Sequence, residues 1–156
     1  MTVTCRPALP ADEPFLRSLI VETVSVELGA EFWPEALRDH LLAVQYDSRR
    51  QSIGIAFPRA ADQIVLADGA SIGWFVADES VAEIRMVELM LVPAWRGRGA
   101  GTALIRQVLA RGYAAGKPVR LSVVTSNTGA IRLYKRLGFQ SNGGDESRLH
   151  MQAGSA

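Results

Sequence analysis

The spacing of apolar residues along the 156-residue chain shifts between helical and alternating periods, and each shift marks a new element. Residues 3–6 form a short strand that ends at Arg6-Pro7. Phe15, Leu16, Leu19, Ile20, Thr23 and Val24 then recur at helical spacing before Gly29. With Asp12 as cap and Pro14 tolerated in the first turn, they predict a helix over about 12–28. Pro34 opens a second helix, with a buried stripe expected at Leu37, Leu41 and Val44 and with Arg49-Arg50 near its end. Residues 51–61 are ambiguous, and Phe57-Pro58 stops any helix there. From residue 63 the period is two: a strand at 63–67, a hairpin turn at Asp68-Gly69, a returning strand at 70–77, a turn at 78–80 and a long strand at 81–92.

Helical spacing returns with Leu104, Ile105, Val108 and Leu109, for a helix over about 99–114 that Gly116-Lys117-Pro118 ends. A strand at 119–125 and a helix at about 128–137 follow. Ala130, Leu133, Tyr134 and Leu137 form the helix stripe, and Gly138 takes the left-handed terminal position. Residues 139–141 and 147–151 pair as a final hairpin around Asn142–Asp145. The order β-α-α-β-β-β-α-β-α-β(-β) predicts a mixed α/β sheet in a single domain over 1–152, with 153–156 as a frayed tail.

Composition removes several alternatives. The chain is 48% hydrophobic and 21% charged, which fits a folded domain with a real core. Seventeen Lys and Arg against sixteen Asp and Glu leave a formal charge of +1, so no dedicated nucleic-acid partner is expected. Cys5 is the single cysteine and His40 and His150 the two histidines, which argues against a disulfide and against a metal centre. No apolar run approaches the ~20 residues that span a bilayer, and M-T-V-T-C-R-P lacks the apolar segment of a secretory signal. No membrane partner is expected, and the cytoplasm is the default location.

The densest chemical signal is V-P-A-W-R-G-R-G-A-G-T, residues 92–102, which follows a strand and opens a helix. Closely spaced glycines let backbone approach a ligand, and a helix N-terminus presents unpaired amides and a positive dipole end. The stretch has no Lys, so it is not a P-loop. Counted from Gly97, the last position of a dinucleotide fingerprint falls on Thr102, so it is not that either. It does resemble the acyl-CoA-binding motif [QR]-x-x-G-x-[GA] of the GNAT superfamily of N-acetyltransferases, through Arg96, Gly99 and Gly101. S-N-T-G-A-I-R-L-Y-K-R-L-G-F, residues 126–139, resembles that superfamily's second signature, and T-C-R-P-A-L-P-A-D its opening strand and turn. The resemblance covers about 1–151, with 30–61 the least informative part.

That resemblance implies acetyl-CoA as co-substrate and no metal. The CoA pyrophosphate would rest on the turn from Gly97 through the amides of Arg98, Gly99, Ala100, Gly101 and Thr102, with Arg96 and Arg98 adding charge. The pantetheine arm would lie between strands 81–92 and 119–125 where they splay apart. Leu91 and Val92 would bond it, and an amide near Met90–Val92 would polarise the thioester. Asn127 is a helix cap or, by resemblance, a contact to the arm. Tyr134 is a core residue or, by resemblance, the acid that protonates the departing thiolate. Lys135 and Arg136 are solvent-facing or screen the CoA phosphates.

Glu88 stands out by strand pattern alone. It shares parity with Ile84, Met86, Met90 and Val92, so a carboxylate interrupts an apolar row. It must face a wet cleft, or a bulge must turn it outward. It is an exposed strand residue or, by resemblance, the base, working directly or through water. Ser122 stands where ribosomal-protein Nα-acetyltransferases of the superfamily carry Glu. The expected acceptor is a primary amine, on a small molecule or on a peptide. The alternatives are an acetyltransferase of protein lysines or N-termini and a non-catalytic acyl-CoA-binding module. Many members of the superfamily dimerise, so a homodimer is one expected assembly.

Overall fold

The computed structural model describes residues 1–154. Its elements run β1 (Val3–Pro7), α1 (Glu13–Leu28), α2 (Glu35–Ala56), β2 (Ala61–Ala67), β3 (Ala70–Glu79) and β4 (Ile84–Leu91). Then come α3 (Ala100–Ala115), β5 (Val119–Val124), α4 (Thr128–Arg136), β6 (Gln140–Gly144) and β7 (Arg148–Ala153). The strands form one seven-stranded sheet in the order β1-β2-β3-β4-β5-β7-β6. All neighbours are antiparallel except β4 and β5, as the predicted mixed sheet requires.

The sheet buries side chains on both faces. On one face Phe75, Ile84, Met86, Leu121 and Met151 meet Leu104, Ile105 and Val108 of α3, with α4 packed at the margin. On the other, Ile64, Trp74, Val76 and Met90 meet Leu16, Leu19, Ile20 and Val24 of α1 and Leu42 and Tyr46 of α2. The Tyr46 hydroxyl donates to Glu13, and the Trp74 indole N–H donates to Asp62, whose carboxylate also pairs with Arg50 at 3.1 Å. These bonds tie α2 to α1 and to the sheet.

Several expectations need correction. The buried stripe of α2 is Leu42 and Tyr46; Leu37 and Val44 are exposed, and the helix continues through the ambiguous region to Ala56. Asp12 precedes α1, but its carboxylate does not cap that helix. It turns back to take two bonds from Arg6, at 2.7 and 2.8 Å, and one from the Leu9 amide at 2.8 Å. Those bonds hold its pKa at about 2, the Arg6 hydrogen bonds first, and lock β1 to the start of α1. β4 starts at Ile84 rather than 81, because Ser80 turns the chain by accepting the amides of Ala82 and Glu83. The last hairpin is longer than predicted: β6 runs through Asn142–Gly144, and Asp145 accepts the amides of Ser147 and Arg148 at the turn. Ala153, expected in a frayed tail, pairs with Val119 and is buried; residues 155–156 of that tail lie outside the described residues.

Candidate active site

β4 and β5 pair only at Ile84–Val119, Arg85–Arg120 and Met86–Leu121. Beyond Met86 the two strands part. The register of β4 against β3 shifts at the same place: Val76 faces Glu88 and Ala77 faces Met86, so Val87 is an extra residue, a β-bulge. Bulges bend a strand and re-aim the side chains after it. The apolar row read from the sequence is therefore two rows. Ile84 and Met86 face α3, whereas Met90 faces α1 and α2. Glu88 follows the second row, which puts its carboxylate at a cleft.

Past the bulge, β4 has one edge bonded to β3 and one edge open. Val92, expected to bond a ligand, has both backbone groups in use: its N–H donates to Ile72 at 2.8 Å and its C=O accepts from Trp95 at 2.9 Å. In antiparallel pairing, successive residues alternate the edge they serve. Met90 therefore also points to β3, and a Cβ added at Gly73 would collide with its carbonyl oxygen. The open edge belongs to Leu89 and Leu91. The Leu91 carbonyl already accepts from the Arg96 side chain at 2.9 Å, which leaves its N–H directed into the gap.

The gap widens into two cavities. One, of about 540 Å³, runs from Glu88 and Tyr134 past Leu91 and Asn127 to Arg96, Gly97, Gly99, Gly101 and Thr102. The other, of about 500 Å³, lies on the far side of the same Glu88, Asn127 and Tyr134 and reaches Arg49, Ser122 and Arg148. A third, of about 440 Å³, adjoins the second beneath the C-terminal half of α2. Gly97 and Gly99 turn the chain with φ of +71° and +86°, conformations closed to most side chains. They bring the first-turn amides of Ala100, Gly101 and Thr102 to one end of the first cavity. The N-cap residue is Gly99, with no side chain to cap these amides, and no acid lies in that turn.

The two predicted arginines have partners within the protein, although Arg96 also lines the first cavity. Arg96 reaches back across the end of β4 to Thr23 at 3.3 Å and to Glu22 at 3.8 Å. Arg98 stacks over the Trp95 ring, 4.1 Å from its centroid. Asn127 caps α4, its side-chain oxygen accepting the Ala130 amide at 3.2 Å, while the residue also lines both cavities.

Tyr134 packs edge-on against Phe139 at 5.6 Å, and its hydroxyl has no hydrogen-bond partner among the described residues. Burial raises its pKa, and the nearby Glu88 charge raises it further, so it stays protonated at neutral pH. Burial also raises the pKa of Glu88. Arg49 opposes this, Glu27 adds to it, and Arg148 opposes it. Sequence reading missed these three neighbours. Glu27 and Arg49 carried a signal: Glu27 lies three residues after buried Val24, and Arg49 three after buried Tyr46, each a charge on an apolar stripe. Ser122 sits in the second cavity with its hydroxyl bonded to His150 Nδ1 at 2.7 Å. Among the described residues no helix is long and apolar enough to cross a membrane, and no cluster of three or more His, Cys, Asp or Glu is placed to hold a metal ion.

This geometry agrees with three comparisons. A segment of 66 residues is 44% identical to an uncharacterized N-acetyltransferase of Methanocaldococcus jannaschii, covering 42% of this chain and 28% of that protein. A segment of 51 residues is 45% identical to the N-alpha-acetyltransferase RimI of Mycobacterium tuberculosis, covering 33% of this chain and 31% of that one. These matches span less than a third of the length of either curated relative. In overall fold the chain is similar to the PaiA N-acetyltransferase of Thermoplasma acidophilum, solved in complex with coenzyme A, with TM-score 0.72 and 18% identity over 99% of this chain and 100% of that one. The family model for the acetyltransferase (GNAT) family matches residues 26–139, most of the chain, and this protein belongs to that family.

Proposed function

We propose that the protein transfers an acetyl group from acetyl-CoA to a primary amine, by direct attack within a ternary complex. One observation carries the reading. Glu88 and Tyr134 line both cavities at the point where the gap between β4 and β5 joins them. A donor entering by the glycine turn and an acceptor entering from the far side would meet between a carboxylate and a phenol.

The site fits acetyl-CoA by the chemistry of its donors. The uncapped first turn of α3 supplies amides for the pyrophosphate, and the open edge of β4 supplies strand-like bonds for the pantetheine arm. A Cβ at Gly101 would already touch Leu91 at 3.7 Å, so larger side chains there would fill the arm's path. When bound, the thioester supplies an acetyl carbonyl open to attack by nitrogen.

The residues of this chain do the rest. An amine has a pKa near ~10 and arrives as ammonium, so its proton must leave before attack. The Glu88 carboxylate accepts that proton, directly or through water. Burial suits it to the task, because a raised pKa brings it closer to the operating pH. The Leu91 N–H holds the negative charge growing on the carbonyl oxygen. As the nitrogen–carbon bond forms and the carbon–sulfur bond breaks, the nitrogen gives up its second proton to solvent and the Tyr134 hydroxyl gives its proton to the departing sulfur. Solvent restores that proton.

Calorimetry with acetyl-CoA and thiol release with a panel of amines test the reading. Wild type should bind acetyl-CoA and release CoA only when an amine is present. Gly101→Leu should abolish binding while leaving the thermal transition in place. Undetectable binding by folded wild type at millimolar acetyl-CoA would end the proposal. Binding with no turnover on any amine would leave a non-catalytic acyl-CoA-binding module.

A further inference from the structure

The cavity beneath α2 carries an excess of positive charge. α1 and α2 cover the sheet face over β2–β4, but the same face of β5 and β7 extends beyond them. Leu149, Met151 and Ala153 of β7 point to the α3 side, so by strand alternation Arg148 and His150 point to this uncovered side with Ser122. The cavity beneath α2 is lined by three arginines, Arg49, Arg85 and Arg148, and by one carboxylate, Glu88. Arg85 is engaged with Glu83 at 3.1 Å, and Glu83 also pairs with Arg120. Among the described residues Arg49 has a single distant ion-pair partner, Glu27, at 3.5 Å. Arg148 has no carboxylate within ion-pair distance among the described residues.

Two under-used guanidiniums therefore border the carboxylate that would deprotonate the acceptor. They lie on walls of the cavity contributed by different elements, α2 and β7, with Glu88 on β4 between. A guanidinium recognises a carboxylate by paired, charge-assisted bonds. A cavity of about 440 Å³ has the dimensions of a small-molecule site. A polycationic amine would bring further positive charge to the three arginines of this cavity, against Glu88 on its wall and Glu27 beyond it, which already pairs with Arg49.

We propose that the acceptor is a small primary amine that carries its own carboxylate, of the amino-acid class. Arg148 and Arg49 hold the carboxylate, and the amino group is thereby turned toward Glu88. Both arginines act on specificity, and neither touches the reacting atoms. This inference rests on the acetyltransferase reading, since it names the acceptor of that same site.

The test uses matched probes: the twenty amino acids, their carboxamides, and spermidine, assayed by thiol release at fixed acetyl-CoA. At least one amino acid should exceed both its carboxamide and spermidine in kcat/KM, by about tenfold or more for a charged hydrogen-bonded contact. Arg148→Gln and Arg49→Gln should each raise KM for the acid with little change in kcat, and so erase the preference. Arg148→Glu should turn the preference toward carboxamide and spermidine. Acid and amide used equally, spermidine used best, or a preference that survives Arg148→Gln would each overturn the proposal. If no probe is acetylated, the same acid–amide pairs are titrated into acetyl-CoA-loaded protein by calorimetry. Tighter binding of acid, lost in Arg148→Gln, would uphold the acceptor class and count against the activity alone; equal binding would overturn the acceptor class too.

Discussion

The seam between β4 and β5 has two ends built from the same two strands. At the closed end, Ile84, Met86, Val119 and Leu121 are paired, buried and packed against α3. At the open end, one residue past the bulge at Val87, Glu88 and Leu89 look across an unbridged gap at Ser122 and Asn127. The first arrangement spends its backbone groups on the sheet and its side chains on the core. The second leaves an unbonded strand edge, a half-buried acid and an unpartnered phenol facing the cavities, where a ligand can use them. One inserted residue separates the end that holds the fold together from the end where the chemistry is proposed.

Substitutions should divide along the same line. Tyr134→Phe keeps the ring and its contact with Phe139. It should lower kcat by about 10²–10⁴-fold, the usual worth of a general acid, with little change in acetyl-CoA affinity. Turnover within about threefold of wild type, well below that range, would make Tyr134 a packing residue only. Ile84→Ala at the closed end should do the reverse. It should cost about 2–5 kcal/mol in denaturant unfolding, as truncation of a buried aliphatic side chain does, and leave kcat near wild type where the protein is folded.

Glu88→Gln should show both effects in smaller form. Its kcat/KM should fall at neutral pH and partly recover as pH approaches the amine's own pKa, where neutral nucleophile no longer needs a base. A deficit constant across pH would make Glu88 a positioning charge instead. Stability should move the other way. The folded-state pKa of Glu88 is raised, so between the ordinary carboxylate value of about 4.3 and that raised value the folded chain binds more protons than the unfolded chain. Wild-type stability therefore falls as pH rises through that window. Gln has no such loss, so the variant should be more stable than wild type at pH 7 and lose that advantage below about pH 4. Thermal unfolding at the two pH values measures it.

Most of the fold was legible because helices and strands differ in period, and here the periods are clean. Leu104, Ile105 and Val108 occupy the buried positions their spacing predicted. The error on α2 has a physical origin. Its buried face holds one Leu and one Tyr, and Arg49 sits on that stripe where an apolar residue would have set the phase. The site was less legible than the fold. Local motifs pointed to Gly99, Asn127 and Tyr134 as candidates, and an acid that broke an apolar row pointed to Glu88. The bulge at Val87 that explains Glu88 leaves no local signature, since it depends on how β4 registers against β3. Arg148 and Arg49 meet Glu88 only through the sheet order, which no local pattern contains.

The account turns on the open edge of β4 receiving a strand-like ligand. Amide hydrogen exchange, with and without acetyl-CoA, reads that edge residue by residue. Added acetyl-CoA should slow exchange at Leu91 and in the first turn of α3, at Ala100–Thr102, and leave the closed end at Ile84–Met86 unchanged. Protection confined to the closed end, or none at Leu91 with acetyl-CoA saturating, would contradict it.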